Sequence, residues 1–272
     1  MRNNNLQATQ QEIDHMIDML AGNLEKGPYP GYPSERLTMT KPELYQLQYD
    51  GDHDWYKPNL PDGPWTLNNT DAELLVPSIK LTDKIGRPVH PWLSDMITRE
   101  DVGVITGKGA YWNWGPNFCG DAIVTRRNGS SQEAFMLRRP DTGQWAFPGG
   151  FYDLDKDWSF QDTAVREFEE ETTVRISQFK ETATPVYSGA IVDKRVTAHA
   201  WPVTEAHVII IPEDYEREAL SPDSDITTEE MAQKKWVDVS ELDQAMFGGH
   251  AILAARAQTQ IGRLASYGYY DS

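Results

Sequence analysis

A cluster of glutamates is the part of this sequence whose residue types and spacing point most directly to chemistry. In the stretch AVREFEEET, glutamates occupy positions 167 and 169 to 171. On a helix, Glu167, Glu170 and Glu171 lie on one face, because residues three and four apart are neighbours there. Only Glu169 points elsewhere. Like charges at these spacings destabilise a helix by a few tenths of a kcal/mol per pair, roughly, so the cluster needs either a cation or a solvated surface.

A solvated acidic face is the simpler interpretation of this cluster, but its surroundings favour a metal site. Just upstream, the sequence Pro-Gly-Gly at 148–150 lets the backbone approach closely and offers a carbonyl as a hard oxygen ligand. Arg166 can hold one carboxylate in orientation. Ligation by oxygen atoms alone suits Mg²⁺, or Mn²⁺, rather than zinc. The metal ligands that we expect are Glu167, Glu170, Glu171 and the carbonyl of Gly149.

The elements around the cluster predict a sheet with helices. We expect a helix from about 160 to 173, with Ser159 as its N-cap and Asp162 at its third position. Upstream, DAIVTRR and EAFMLRR flank an NGSS turn, which predicts a β-hairpin. Downstream, TEAHVIII and KKWVDV have the pattern of strands, and residues 251–264 that of a closing helix. The order of strands, helix, strands and helix is that of an α/β (α+β) fold.

The first hundred residues differ in texture from the rest. Apolar residues recur at helical spacing over 9–24, where Thr9 and Glu12 form a capping-box pattern. This amphipathic helix either docks on its own domain or serves a partner. The segment from 27 to 64 is crowded with proline, glycine, tyrosine and aspartate, which predicts loops and short strands. We therefore expect a smaller, proline-rich N-terminal domain at 1–117 and a second domain at 118–272.

The composition excludes several classes of partner. The chain of 272 residues carries 25 Lys+Arg against 42 Asp+Glu, a formal charge of -17, which disfavours nucleic acid and anionic membranes and attracts divalent cations. A single cysteine, Cys119, rules out an internal disulfide and a cysteine-rich zinc site. No apolar run approaches the roughly 20 residues of a membrane span, and the N-terminus lacks the apolar core of a signal peptide. We expect a soluble, cytoplasmic protein that is a monomer.

The glutamate segment also resembles a known motif. Gly150 followed by REFEEE is similar to the Nudix box, G-x5-E-x7-R-E-U-x-E-E-x-G-U, in which U is a bulky apolar residue. The resemblance implies an α/β/α sandwich around a mixed sheet and hydrolysis of a diphosphate linked to another moiety, with the box glutamates holding Mg²⁺. The residues that fill its helical half are Arg166, Glu167, Phe168, Glu170 and Glu171.

The chain departs from the box in its front half and at its end. Thr173 replaces the late glycine, and the spacing from Gly150 to Arg166 is two residues longer than the pattern. The early glutamate of the pattern falls at Lys156 or Asp157. We expect activity nonetheless, with one of the nearby acids partly substituting for that glutamate. The acids considered for this role are Asp153, Asp155 and Asp157.

A second resemblance is to the ADP-ribose pyrophosphatase family, which includes the ADP-ribose-sensing domain of a melastatin-type cation channel. It rests on five segments in the same order within about 107–253: GKGAYWNWGPNFCGDAIVTRR, WAFPGG, VYSGAIVDKRVTAHAWPVTEA, KKWVDV and FGGHAIL. It implies Mg²⁺-dependent hydrolysis of ADP-ribose to AMP and ribose 5-phosphate. The catalytic residues it implies are Glu167, Glu170, Glu171 and Arg166. The substrate-binding residues are Thr125, Phe147, Gly149, Gly150, Asp193, Arg195, Phe247 and His250.

Several alternatives stay open at this point. Phe247 could be a core residue with His250 as a helix cap, and Arg195 could form a surface salt bridge. Ala198 and His199 replace two family residues, which puts recognition of the terminal ribose in question. The residues that could act as the general base are Glu167, Glu171 and the loop acids Glu229 and Glu230. Instead of an ADP-ribose hydrolase, the chain could be a domain that senses ADP-ribose without cutting it, or a Nudix enzyme for another nucleoside diphosphate compound.

Overall fold

The structure is a computed structural model of the chain, and it describes residues 6–39, 87–140, 142–216, 219–221, 233–242 and 246–270, with the backbone of 54–56. The helices are α1 (Gln10–Leu24), α2 (Leu93–Ile97), α3 (Phe160–Thr172) and α4 (His250–Ser266), with short 3-10 helices at Ser177–Thr182 and Val239–Glu241. The strands are β1 (Asp54–Tyr56), β2 (Thr106–Gly109), β3 (Gly115–Asn128), β4 (Ser131–Arg138), β5 (Trp145–Ala146), β6 (Gly149–Phe151), β7 (Thr184–Ala190), β8 (Ala200–Ile210) and β9 (Gln233–Asp238).

Contacts within the chain divide it into two compact units, which we describe separately. The sheet unit comprises 1–6, 119–188 and 204–272, and the N-terminal unit comprises 7–118 and 189–203. The expected domains at 1–117 and 118–272 stay a prediction about which parts of the chain fold independently.

A seven-stranded sheet carries the glutamate helix. Its strands follow the order β5-β4-β3-β8-β7, with β6 also paired to β3 and β9 to β4. The predicted hairpin is confirmed, since β3 and β4 pair antiparallel from Asn128 opposite Ser131 to Thr125 opposite Ala134. On β3, Asp121 lies opposite Gly149 of β6, so this register brings the Pro-Gly-Gly segment against the centre of the sheet.

One face of the sheet packs against α3, and the apolar side of that helix determines where its acids point. Ala164 and Phe168 are fully buried, and the Phe168 ring meets Phe135 of β4 edge-on at 5.6 Å between centroids. Because side chains alternate along a strand, Ala122 and Val124 of β3 join this core. The expected α/β fold around a mixed sheet is confirmed.

The ends of α3 are set by local chemistry. Ser159 accepts a hydrogen bond from the Asp162 N–H at 3.1 Å, which confirms the predicted N-cap. At the other end Thr173 has a φ of 61°, in the left-handed region. This is the position at which the Nudix pattern has glycine, and a β-branched residue is disfavoured there because its Cβ meets the backbone.

In the N-terminal unit, α1 begins at the predicted capping box. Thr9 and Glu12 each bond the other's backbone N–H. The helix buries Met16, Ile17 and Leu20, and a salt bridge of 2.5 Å joins Asp18 to Arg99, just after α2. It therefore docks within its own unit, as the first of the two alternatives predicts.

The proline-rich segment is described only in part. Residues 27–39 form turns and loops, as predicted, and β1 pairs parallel with β2. The rest of the segment lies outside the described residues. Within the described ranges, no helix has the length and apolar character needed to cross a membrane.

The left-handed threonine at the end of α3 gives a prediction about stability. Thr173→Gly should raise the free energy of unfolding by about 0.5–1 kcal/mol, because relief of the left-handed strain outweighs the extra chain entropy of glycine. Urea denaturation of the two proteins measures it. The control is Thr259→Gly on the exposed side of α4, where the backbone is helical and glycine should destabilise by a few tenths of a kcal/mol, roughly. Equal losses of stability at both positions would contradict the prediction.

Candidate functional site

Two glutamates of α3 converge on the backbone of β6. A Cβ atom at Gly150 would lie 2.3 Å from the Glu167 carboxyl carbon, so only glycine leaves room for that side chain. Glu171 accepts a hydrogen bond from the Gly149 N–H at 3.2 Å. Carboxylate oxygens from two successive helical turns therefore lie beside one short strand.

The other two glutamates have different surroundings. Glu170 is half-exposed, with one oxygen 3.1 Å from the Arg166 guanidinium and the other 3.6 Å from the Lys156 ammonium. Glu169 accepts hydrogen bonds of 2.7 Å from the backbone N–H groups of Ile176 and Ser177. Glu169 thus caps the turn after the helix and points away from the other three, as its position on the helix predicts.

Arg166 is the cation at the centre of the cluster. Its guanidinium makes a two-pronged salt bridge to Asp157 with hydrogen bonds of 2.9 and 2.8 Å, and it donates to the carbonyl of Phe151 at 2.9 Å. It also donates to Glu167 at 2.7 Å. These acceptors, led by Asp157, raise the pKa of Arg166 and keep it charged. The guanidinium links the loop before α3, the strand β6 and the helix itself.

Asp157 lies in the loop before α3, in the part of the chain that corresponds to the early glutamate of the box. Its carboxylate is buried, with 1% of the side chain exposed, and it accepts hydrogen bonds of 2.9 Å from the Asp153 N–H and the Thr163 hydroxyl besides those of Arg166. Burial alone would raise the pKa of Asp157, but the hydrogen bonds, led by that of Arg166, outweigh it and lower the pKa. With these donors around it, the Asp157 carboxylate stays ionised and holds the Arg166 guanidinium in place.

The donor chemistry of the site fits a hard divalent cation. Glu167 and Glu171 offer carboxylate oxygens beside Gly149, and a side chain at Gly150 would fill the space that Glu167 uses. In the described ranges no three carboxylate, imidazole or thiolate groups lie close enough together to hold a metal ion. The charge of Glu170 is balanced by its contacts with Arg166 and Lys156.

A buried polar group that the sequence did not reveal lies beside the turn formed by residues 147–149. Asp121 of β3 accepts a hydrogen bond from the Thr204 hydroxyl, and one of its oxygens is 3.7 Å from the His250 imidazole. His250 in turn accepts a hydrogen bond from the Phe147 N–H at 3.2 Å. The signal available in the sequence was an aspartate within the strand GDAIV, where a charge is costly unless it has partners.

The other residues expected to bind substrate in the sheet unit lie near α4. Thr125 is fully buried, and its hydroxyl bonds the Tyr270 hydroxyl at 2.8 Å. The buried ring of Phe147 stacks on His250 with 6.0 Å between centroids. Phe247 is half-buried, with the Arg139 guanidinium 4.2 Å above its ring.

Asp193 and Arg195 belong to the N-terminal unit and pair with each other. The Arg195 guanidinium donates to both carboxylate oxygens of Asp193, at distances between 2.5 and 3.2 Å. Asp193 is buried and also accepts a hydrogen bond from the Tyr111 hydroxyl at 3.3 Å. The nearby replacements Ala198 and His199 are fully buried in the same unit, where the His199 ring accepts the Gly107 N–H at 3.1 Å.

Comparison with known protein families gives one matching family model, described as NUDIX domain, over residues 120–256. A curated protein of Caenorhabditis elegans named "Putative nudix hydrolase 6" is 30% identical over 159 residues, which cover 53% of this chain and 60% of that protein. The mitochondrial ADP-ribose pyrophosphatase of Rattus norvegicus is 28% identical over 169 residues, covering 50% of this chain and 46% of that protein. The chain thus spans about half the length of the curated relatives it matches.

Solved structures give matches of lower identity. The NUDIX domain of Shewanella oneidensis NrtR complexed with ADP ribose is 19% identical, with a TM-score of 0.42 over 54% of this chain and 89% of that one. A binary complex of the Caenorhabditis elegans Ap4A hydrolase is 15% identical, with a TM-score of 0.40 over 54% of this chain and 98% of that one.

The pairing of Asp157 with Arg166 predicts a pH-dependent loss of stability in Asp157→Asn. At pH 7 this nearly isosteric change should lower the free energy of unfolding by about 2 kcal/mol, because a hydrogen-bonded charge is lost beside a buried guanidinium. Since the folded pKa of Asp157 is depressed, its contribution is complete above the ordinary aspartate pKa of about 4 and disappears as the pH falls through the lower folded value. Urea denaturation of metal-free protein between pH 7 and pH 3 measures this. A difference that does not shrink at low pH would exclude the charge as its cause.

Proposed function

The chain belongs to the Nudix family, and from that premise we propose that it hydrolyses the diphosphate of ADP-ribose to AMP and ribose 5-phosphate with Mg²⁺, or Mn²⁺, as cofactor. The observation that carries this proposal is the convergence of Glu167 and Glu171 on the backbone of Gly149 and Gly150. The ordered segments shared with ADP-ribose pyrophosphatases, and the resemblance to the rat enzyme, support the choice of substrate.

The charges of the site support a metal-dependent reaction. A diphosphate is an anion, and a chain of net charge -17 with glutamates gathered at one strand repels it. A bound divalent cation reverses the sign of that local field, neutralises charge that develops on the phosphate and lowers the pKa of a water molecule. Glu167, Glu171 and the Gly149 carbonyl would hold this ion, with Glu170 completing the set once it leaves its cationic neighbours.

Arg166 and Asp157 would serve this reaction by holding Glu167 in place. The hydrogen bond of 2.7 Å from Arg166 fixes one oxygen of Glu167, and Asp157 fixes the plane of the guanidinium. The residue that takes the proton from the attacking water is proposed among Glu171, Glu167, Glu229 and Glu230, of which the last two lie outside the described residues. Each is a carboxylate, the group that accepts a proton near neutral pH when it is ionised.

The residues that the resemblance implies for substrate recognition have side chains suited to that role. Arg195 offers a planar fork suited to a phosphate, and Asp193 can accept hydrogen bonds from ribose hydroxyls or from an adenine amine. In the absence of ligand the two satisfy each other. Phe247 presents part of its ring, which suits stacking on a base or sugar face. Thr125, Phe147, Gly149 and Gly150 complete the proposed set of residues that contact the substrate, and His250 lies beside Phe147 with its ring stacked on it.

A substrate panel tests the proposed function. Purified protein with Mg²⁺ should hydrolyse ADP-ribose faster than NAD⁺, ATP or UDP-glucose, and the products should be AMP and ribose 5-phosphate. Preferential hydrolysis of another compound would show that ADP-ribose is not the preferred substrate, while the chain would still be a Nudix hydrolase. Binding of ADP-ribose without turnover in either Mg²⁺ or Mn²⁺ would favour a sensor, in which the glutamates are a solvated face.

The role of the helical acids gives a sharper prediction. Glu171→Gln removes one charge with little change of shape and should lower kcat by at least about 100-fold, because a metal-held water is then activated less well. The metal-free variant should be as stable as the parent or slightly more stable, since it has one repelling charge less. Steady-state kinetics and urea denaturation measure the two effects.

Glu169→Gln is the matched control on the same helix. Glu169 caps the following turn, so this change should lower stability by about 1 kcal/mol and leave kcat within about threefold. If the two variants lost kcat equally, the assignment of Glu171 to the metal would fail.

A further inference from the structure

We propose that His250 is a positioning residue that sets the place of Gly149 and Glu171 through the backbone of the Phe147 to Gly149 turn, and does not contact the substrate. This inference rests on the proposed function, in which Gly149 and Glu171 hold the metal ion. The resemblance implies that His250 binds the substrate, whereas this inference gives it a role in holding the backbone of the turn.

The hydrogen bonds of His250 determine its protonation pattern. Its Nδ1 atom accepts the Phe147 N–H at 3.2 Å and therefore carries no proton, so the neutral ring bears its proton on Nε2. That nitrogen faces Asp121, with 3.7 Å between Nε2 and Oδ1. The other Asp121 oxygen is held by the Thr204 hydroxyl. The Asp121 carboxylate thus lies beside the nitrogen that bears the proton, and its negative charge favours this tautomer.

The turn is tied to its surroundings on each side of Pro148. Phe147 is held by His250, and the Pro148 carbonyl accepts the Ala122 N–H at 2.8 Å. The next backbone N–H, that of Gly149, donates to Glu171. A displacement at Phe147 therefore moves Gly149, two residues away. Gly149 is a proposed metal ligand through its carbonyl, and its N–H orients Glu171, another proposed ligand.

Close packing makes this connection stiff. A Cβ atom at Gly149 would lie 2.2 Å from Asp121 Oδ1, so the aspartate lies directly against the glycine backbone. The turn cannot move toward β3 without displacing the carboxylate that lies beside the Nε2 atom of His250. A metal site needs its ligands placed within about 0.5 Å, which is the precision that such packing provides.

Burial argues against direct contact between His250 and a substrate. The residue is 6% exposed, and its ring lies between Phe147, which stacks on it, and Phe247, which packs at a steeper angle. The nitrogen nearest the turn is already used as an acceptor. The imidazole therefore acts on its surroundings through the backbone.

The experiment compares two replacements of this histidine. His250→Phe keeps an aromatic ring and removes the acceptor, while His250→Asn places an amide oxygen near the position of Nδ1 and can accept the same N–H. In metal-free His250→Phe, hydrogen exchange of the Phe147 and Gly149 amides should accelerate by at least about tenfold, since Phe147 loses its acceptor and the loosened turn carries Gly149 away from Glu171. Its kcat for ADP-ribose should fall by at least about tenfold with KM within about threefold, and Mn²⁺ affinity should fall as well. His250→Asn should recover most of each loss.

His207→Phe is the matched control in the same unit. His207 is also buried, and it bonds Glu205 rather than the turn. This change can lower overall stability, but exchange at Phe147 and Gly149, measured relative to global unfolding, should stay at the level of the parent protein.

The outcomes separate the inference from the function on which it rests. A raised KM with unchanged kcat and unchanged exchange in His250→Phe would overturn the inference and return His250 to direct substrate contact. Equal losses in the Phe and Asn variants would also overturn it, since the acceptor would then be irrelevant. A parent protein that neither binds Mn²⁺ nor turns over ADP-ribose would refute the proposed function, while the exchange measurement would still show whether His250 holds the turn.

Discussion

The arrangement of the candidate site depends on one partly buried cation. Three acids surround the Arg166 guanidinium within hydrogen-bond distance, and a backbone carbonyl takes a further N–H. Without that positive charge, the carboxylates of α3 and the loop before it would repel one another in a partly dry environment, where charge interactions are stronger than in water. The arginine is useful because its planar fork serves several acceptors at once, which a lysine could not do.

Two glycines set the second constraint, which is steric. The strand β6 lies between β3 and the acidic side of α3, and each neighbour uses the space that a Cβ atom would occupy: Asp121 at Gly149 and Glu167 at Gly150. Successive residues of a strand point to opposite faces, so two consecutive glycines open both faces at the same place. The backbone can then lie between a buried carboxylate on one side and the proposed metal ligands on the other.

Local patterns in the sequence predicted the parts of the fold that depend on near neighbours. The hairpin at 128–131, the Ser159 cap and the capping box of α1 follow from residues within a few positions of each other. The grouping of Asp121 with His250 could not be predicted in this way, because it depends on strand register and on the packing of a helix more than a hundred residues later. The addition of 189–203 to the N-terminal unit is non-local for the same reason. The acids of α3 were visible as a cluster, but their individual partners were not.

The loop between Gly150 and Arg166 is two residues longer than in the box pattern, yet it still provides a carboxylate that pairs with Arg166. The loop before α3 brings the Asp157 carboxylate close enough to bind Arg166 through both prongs. The same loop places Lys156 near Glu170, so this acid has cations on both of its oxygens, whereas Glu167 and Glu171 lie against backbone glycines. The Lys156 ammonium is half-exposed, so its ion pair with Glu170 contributes little free energy. The acids of α3 are therefore held in two ways: Arg166 and Lys156 balance the exposed Glu170, while Glu167 and Glu171 lie against the backbone of β6, with Glu167 also bonded to Arg166.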